Sequence, residues 1–315
     1  MKVALCFIIN YDHVLNKEDI WREWIEPNKD IINIYVYYKD FNKIKSPWLK
    51  QYTLPEKYIF STNYYNIIPA YISLMEYAKI NNKENQWFCF LTDSCCPIIS
   101  PLRFRYLFYK NCNKSIMHWS HSWWNIQFHQ RANLKLLPLD YHLANDPWFI
   151  LRREEVNSII YFVKTQEKLT NLICNGGLAN ESLFAIILQC KNRLKNTICA
   201  ITHITDWSRM TSSTSPYVFA KNKQQDQTFI EHELKKHPYA IFIRKVAIKL
   251  PNKFLQNFIY ENPLTQLNWM EYCHLSALNC FYKSFNVFYI FNVFHVFSLV
   301  SLCIISFGFW LFIKV

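Results

Sequence analysis

Three short, nearly unbroken apolar runs punctuate the first hundred positions. They cover residues 1–10, 32–38 and 87–92, each bounded by polar segments. A strand covered on both faces reads as such a continuous run, whereas a half-solvated strand alternates. Between the runs, residues 17–25 set Trp21, Trp24 and Ile25 at helical spacing, and residues 67–80 repeat that period. Strand, helix, strand, helix, strand predicts an α/β sheet. Ligands of such sheets bind beyond the carboxyl ends of the strands. The first run imitates the apolar stretch of a signal peptide. It has no small-residue cleavage site, however, and Tyr11-Asp12-His13 follows it at once, so a buried strand fits better.

Further along, residues 148–156 pass from a strand into a helix that reaches about residue 163. Strands are expected over 197–203 and 240–246, with polar turns and a Ser/Thr-rich loop between them. From residue 284 to 313 there is no Asp, Glu, Lys or Arg, and Lys283 and Lys314 bracket the run. That length suffices to span a bilayer. The expected organisation is therefore a catalytic domain over 1–260, a juxtamembrane segment over 261–284 and a single C-terminal transmembrane anchor over 285–313. With no signal peptide, such an anchor would leave the preceding residues in the cytosol.

Composition alters this picture in three places. The chain has 315 residues, half of them hydrophobic, enough for one large domain or two small ones. Its formal net charge of +12 points to an anionic membrane, a phosphate-bearing substrate or nucleic acid. Nucleic acid ranks last, because there is no dense basic run, helix-turn-helix pattern or aromatic RNA-binding signature. The 11 cysteines form no Cys-x-x-Cys pair and are odd in number, so they read as small buried side chains rather than as a zinc site or a disulfide framework.

The candidate chemistry centres on residues 175–189. Gly176 and Gly177 stand together in a chain with only 3 glycines, and glycine serves where the backbone turns sharply or is closely approached. Asn180 reads as an N-cap, with Leu183, Phe184, Ile187 and Leu188 on one face of the following helix. Glu181 then falls in the first helical turn, where the macrodipole keeps a carboxylate ionised and able to accept a proton. An ordinary acidic helix start has the same spacing. Asp93 stands at an expected strand end, either as a turn or cap residue or as a binding residue. Arg244-Lys245 is either a solvated pair or fixed positive charge facing a diphosphate. The segment 118–124 is rich in Trp and His without metal-ligand spacing. Aromatic surfaces of this kind stack on sugar rings, although core packing is the commoner role.

These segments together resemble the core-2/I-branching β-1,6-N-acetylglucosaminyltransferase family, with its plant-type and xylosyltransferase-like relatives. Lys2-Val3-Ala4-Leu5-Cys6-Phe7 is similar to that family's first nucleotide-binding strand. Phe90-Leu91-Thr92-Asp93-Ser94-Cys95-Cys96-Pro97 resembles its Leu-Ser-Glu-Ser-Cys-x-Pro element, and Trp148-Phe149-Ile150-Leu151-Arg152 its W-x-x-L-x-R stretch. Asn180-Glu181-Ser182-Leu183-Phe184 corresponds to D-E-x-x-F/L, Asp206-Trp207-Ser208-Arg209 to D-W-S-R, and Phe242-Ile243-Arg244-Lys245-Val246 to F-A-R-K-F. Asn180 replaces the usual aspartate, and Thr92-Asp93 replaces Ser-Glu.

The resemblance implies a GT-A-like, Rossmann-like α/β fold and an inverting glycosyltransferase. In that role Glu181 would be the catalytic base. Val3, Asp93, Arg209, Arg244 and Lys245 would lie on the UDP-sugar donor, and Trp148 and Trp207 on substrate. It implies no metal, with basic residues neutralising the leaving diphosphate, N-acetylglucosamine as the default sugar, and a glycan or glycoprotein acceptor. An endomembrane location of the ER or Golgi type goes with it. A membrane-anchored nucleotide-sugar or glycan-binding protein that has lost catalysis is the alternative.

Overall fold

The computed structural model describes residues 1–212, 214–279 and 282. The chain opens with β1 (Lys2–Ile8), α1 (Glu18–Ile25), β2 (Ile32–Tyr37), the single turn α2 (Pro47–Lys50), α3 (Ile68–Asn81) and β3 (Asn85–Thr92). All three apolar runs are strands. β1 pairs in parallel with β2 on one side and with β3 on the other. From Val3 to Ile8 every residue of β1 is buried, which is what an unbroken apolar run encodes. Ala4, Cys6 and Ile8 face a core shared with Tyr71, Leu74 and Met75 of α3. Phe7 points the other way and meets the Trp21 ring edge-on at 4.9 Å. Helices thus cover both faces of a parallel sheet, in a Rossmann-like layering.

The next elements are β4 (Cys96–Pro97), α4 (Pro101–Asn111), β5 (Trp119–His121), β6 (Leu143–Asn145), β7 (Ile150–Arg152), α5 (Arg153–Thr165), α6 (Glu167–Cys174) and α7 (Leu183–Cys190). β7 completes the first sheet antiparallel to β3, giving the order β2-β1-β3-β7. One residue before β7, the Phe149 carbonyl accepts from the Phe90 amide at 3.0 Å. That bond carries Trp148 toward the carboxyl end of β3. β5 and β6 form a separate antiparallel pair.

The last elements are β8 (His203–Thr205), α8 (Gln224–Lys236), β9 (Phe242–Arg244) and α9 (Asn252–Gln256). A second sheet has the order β4-β9-β8, with β9 antiparallel to β4 and parallel to β8. Phe242 of β9 packs on Trp21 and Trp24 at 5.7 and 6.2 Å, so one pair of α1 indoles locks this sheet to the first. The strand expected over 197–203 is corrected to a shorter β8 that begins where that stretch ends. Upstream, Ile198 makes only an isolated bridge to Ile116. The Thr202 carbonyl turns to accept from the amides of Ile241 and Phe242, and this starts the pairing with β9.

One compact unit comprises Met1–Gln266, and a second begins at Leu267. Residues 269–279 of the second are helical. Among the described residues no helix is long and apolar enough to cross a membrane. The expected anchor, 285–313, lies outside them.

Candidate active site

From β1 the chain steps to β2 on one side and later to β3 on the other, so the strand order reverses between β1 and β3. Open α/β sheets bind ligands in the crevice at such a switch point. Here the Asn10 amide, just past β1, donates to the Asp93 carboxylate, just past β3, at 3.1 Å. Asp93 is buried, and burial pushes its carboxyl up to about 6, partly opposed by the Asn10 amide and the charge of Arg244. The Val246 amide bonds the Ser94 carbonyl at 2.9 Å, drawing the end of β9 to the same place.

Two cations arrive there with β9. The Arg244 guanidinium lies 3.4 Å from the centre of the Trp148 ring. It is 6% exposed, and its Nε has no partner. Cation–π stacking of this kind stabilises a desolvated guanidinium by about 2 kcal/mol. The side chain also hydrogen-bonds Cys95, and Nε is left without a partner. Burial, reinforced by the charge of Arg244, drives the neighbouring His203 ring toward its neutral form. Lys245 is half-buried, its Nζ donating to Ser215 Oγ at 3.1 Å. Burial and then Arg244 lower its proton affinity. Two crowded cations facing one reluctant carboxylate form a site that a bound anion would relieve.

Arg209 differs. Its Nε donates to Asp206 at 2.6 Å and its Nη1 to Asp226 at 2.8 Å, and both carboxylates are fully buried. Its guanidinium also lies 4.0 Å from the Tyr217 ring centre. Burial acts to raise the Asp206 carboxyl, but hydrogen bonds from Ser208 and Arg209 outweigh it and hold the group below its ordinary range. The charge of Arg209 is thus matched twice over within the fold. Trp207, beside it, is half exposed. Val3 sits fully buried at the opposite end of β1, five residues before Ile8. At the rise of a parallel strand that is about 16 Å from the switch point, so Val3 contributes to the sheet core rather than to the crevice.

Glu181 is reached by a different local structure from the one its sequence suggests. Gly177 and Leu178 both have positive φ, and a 3-10 turn, Ala179–Glu181, precedes α7. Asn180 is therefore not an N-cap. It lies inside the turn, and Ser182 occupies the cap position without a side-chain cap bond. Asn145 of β6 performs the securing role instead. Its Nδ2 donates to the Asn180 carbonyl at 2.9 Å, and its Oδ1 accepts from the Ala185 amide at 3.2 Å.

The ionisation of Glu181 responds to burial and to two charged neighbours. Burial raises its carboxyl, the Arg131 cation opposes that shift, and Asp146 adds to it. Arg131 Nη1 lies 3.0 Å from Glu181 Oε2. The glycines make this pairing possible. A Cβ on Gly176 would stand 2.2 Å from the Asn133 nitrogen and 2.5 Å from the Gln130 carbonyl oxygen. The Ala132 amide also bonds the Gly177 carbonyl at 3.0 Å. Two backbones meet where no side chain fits, and Arg131 is carried in on one of them.

Tyr71 of α3 connects the two halves. Its hydroxyl donates to the Pro147 carbonyl at 2.7 Å, next to Trp148. After burial, the largest influences on its ionisation include the charges of Arg244 and Glu181, so both charges are felt at one buried ring. Sequence reasoning missed Tyr71, Arg131, Asn145 and Asp146. None carries a local signal, since each is an ordinary polar residue 35 or more positions from its partner in the site. Among the described residues no group of three or more His, Cys, Asp or Glu side chains is arranged to hold a metal ion.

The sequence model of the family described as Core-2/I-Branching enzyme matches residues 21–237, a span that includes Asp93, Trp148, Glu181 and Arg209. No curated protein matches the chain.

Proposed function

The chain belongs to the core-2/I-branching enzyme family, and from that premise we propose an inverting transfer with Glu181 as general base. The family is one of glycosyltransferases, so a nucleotide-sugar donor and a glycan acceptor come with membership. The proposed donor is a UDP-sugar, with N-acetylglucosamine the first candidate. Glu181 takes the proton of an acceptor hydroxyl, the acceptor oxygen bonds to the anomeric carbon, and the bond to the diphosphate oxygen breaks. The electron pair leaves with UDP. Arg244 and Lys245 meet the charge that develops on that leaving group, as preorganised donors do in a desolvated site. Asp93 and Trp148 shape the donor pocket of a GT-A-like fold, and Trp207 lies on the substrate side. Transfer proceeds without a metal ion, and residues 285–313 anchor the enzyme in an endomembrane.

The observation that carries this reading is the arrangement about Tyr71 and Trp148. The charges of Glu181, a proton acceptor, and of Arg244, a guanidinium with a free Nε, both act on the buried Tyr71, and Arg244 stacks on Trp148. In the full chain, Glu181→Gln should lower turnover of UDP-N-acetylglucosamine by about 100- to 10,000-fold, the range that general base catalysis supplies. UDP affinity should change less than threefold. Turnover should also persist in EDTA. A Glu181→Gln variant with wild-type turnover would overturn the base assignment. UDP binding without turnover across a broad acceptor panel would favour the alternative of a binding protein.

A further inference from the structure

We propose that the exposed indole of Trp123 is the acceptor-side platform of this site, over which the pyranose ring bearing the reacting hydroxyl packs. The inference rests on the reading of Glu181 as the base and specifies what that base acts upon. Trp123 is 74% exposed. Folding therefore leaves most of its apolar face in water, free to be covered by a ligand. Yet the ring is held in place. It meets the buried Trp124 ring at 90° and 5.4 Å, and the Arg131 guanidinium lies 5.3 Å from both ring centres. That same guanidinium is hydrogen-bonded to Glu181. One side chain therefore orders both the proton acceptor and the indole, which stands two contacts from the carboxylate.

The Glu181 turn also adjoins a second exposed ring. Tyr65 is 64% exposed and lies against Gly177, and its carbonyl accepts from the Leu178 amide at 2.8 Å. Two aromatic faces thus border the one turn that bears the base. A pyranose suits such a border, since its C–H face packs on a ring while its hydroxyls stay in reach of Arg131, Glu181 and water. The uridine diphosphate has its own cationic side at Arg244 and Lys245, beyond Tyr71. This leaves the Trp123 side to the acceptor.

The test uses the full chain in detergent, with Trp123→Ala and Trp123→Phe. The probes are methyl β-galactopyranoside, methyl α-N-acetylgalactosaminide and methyl β-xylopyranoside. Saturation-transfer NMR in the presence of UDP reads binding, and initial rates read the acceptor and donor KM separately. Trp123→Ala should weaken the best pyranoside at least tenfold, about 1.4 kcal/mol, and raise the acceptor KM to match. The donor KM should move less than twofold, and Trp123→Phe should recover most of the loss. An unchanged acceptor KM and pyranoside affinity in folded Trp123→Ala would overturn the proposal. So would a parallel rise of both KM values in Trp123→Ala and Trp123→Phe, which marks a packing role through Trp124. If wild type turns over no donor, the transferase reading has failed, and the NMR comparison still decides the platform. Loss of pyranoside binding in Trp123→Ala supports it, and equal or absent binding overturns it.

Discussion

At the scale of single residues, the informative feature is a carboxylate whose protonation is contested. Burial raises the Glu181 carboxyl and Arg131 opposes that shift. As the proposed base, Glu181 acts only when ionised, so activity should be present above its pKa and be lost as pH falls through it. Neutralising the cation in Arg131→Gln removes the opposing influence, and the pKa rises further. The acidic limb of kcat/KM against pH should therefore move to higher pH, with the alkaline limb unmoved. Arg131→Lys keeps the charge and should recover part of the shift. An acidic limb that stays in place in Arg131→Gln would mean that another group sets it. The sequence put Glu181 beside a helix N-terminus for a related reason, namely keeping the carboxylate charged. The structure assigns that task to a side chain 50 residues away.

At the scale of elements, the Gly176-Gly177 turn is a joint between two backbones, and its glycines fail differently. Gly176 has no room for a Cβ, because the atoms it would meet are backbone. Gly176→Ala must push the 130–133 segment away, at a cost of about 1–3 kcal/mol as in other overpacked sites, and carry Arg131 from Glu181. Gly177 has space but a φ of +68°, so Gly177→Ala should cost about 1–2 kcal/mol through backbone strain alone. Urea denaturation should show both losses, while turnover should fall much more in Gly176→Ala at equal folded fraction. Equal activity in the two variants would remove the joint from the mechanism. The strands were legible from their apolar runs because burial on both faces leaves no alternative pattern. The 3-10 entry to α7 was not. Positive φ at Leu178 and the grip of Asn145 are demands of neighbouring chain, and nothing in Asn180-Glu181-Ser182 encodes them.

At the scale of the molecule, two sheets share the indoles of α1, and the cations of the second sheet reach the switch point of the first. The two arginines placed on the donor by resemblance separate on this basis. Arg209 neutralises two fully buried carboxylates, and removing one partner of a buried ionic network costs about 3–5 kcal/mol. Arg209→Met should accordingly lower the unfolding midpoint sharply. Arg244→Met, which leaves no such pair stranded, should keep most of the stability and lose UDP affinity, a split that thermal melts and calorimetric titration with UDP would reveal. Stability lost equally in both would return Arg244 to a structural role.

By itself the sequence determined the parallel α/β sheet, the order of its covering helices and the family. Those depend on which residues are apolar and on short motifs, and both are local properties of the chain. Only the tertiary structure decided which charges are spent inside the fold and which remain for a ligand. Asp206 and Asp226 claim Arg209, Trp148 holds Arg244 with its Nε unpartnered, and Arg131 is brought to Glu181 and Trp123 through a gap that only glycine leaves. Pairings of this kind are set by the path of the whole chain, because a charge is satisfied by whatever stands within about 3 Å of it and not by its neighbours in sequence.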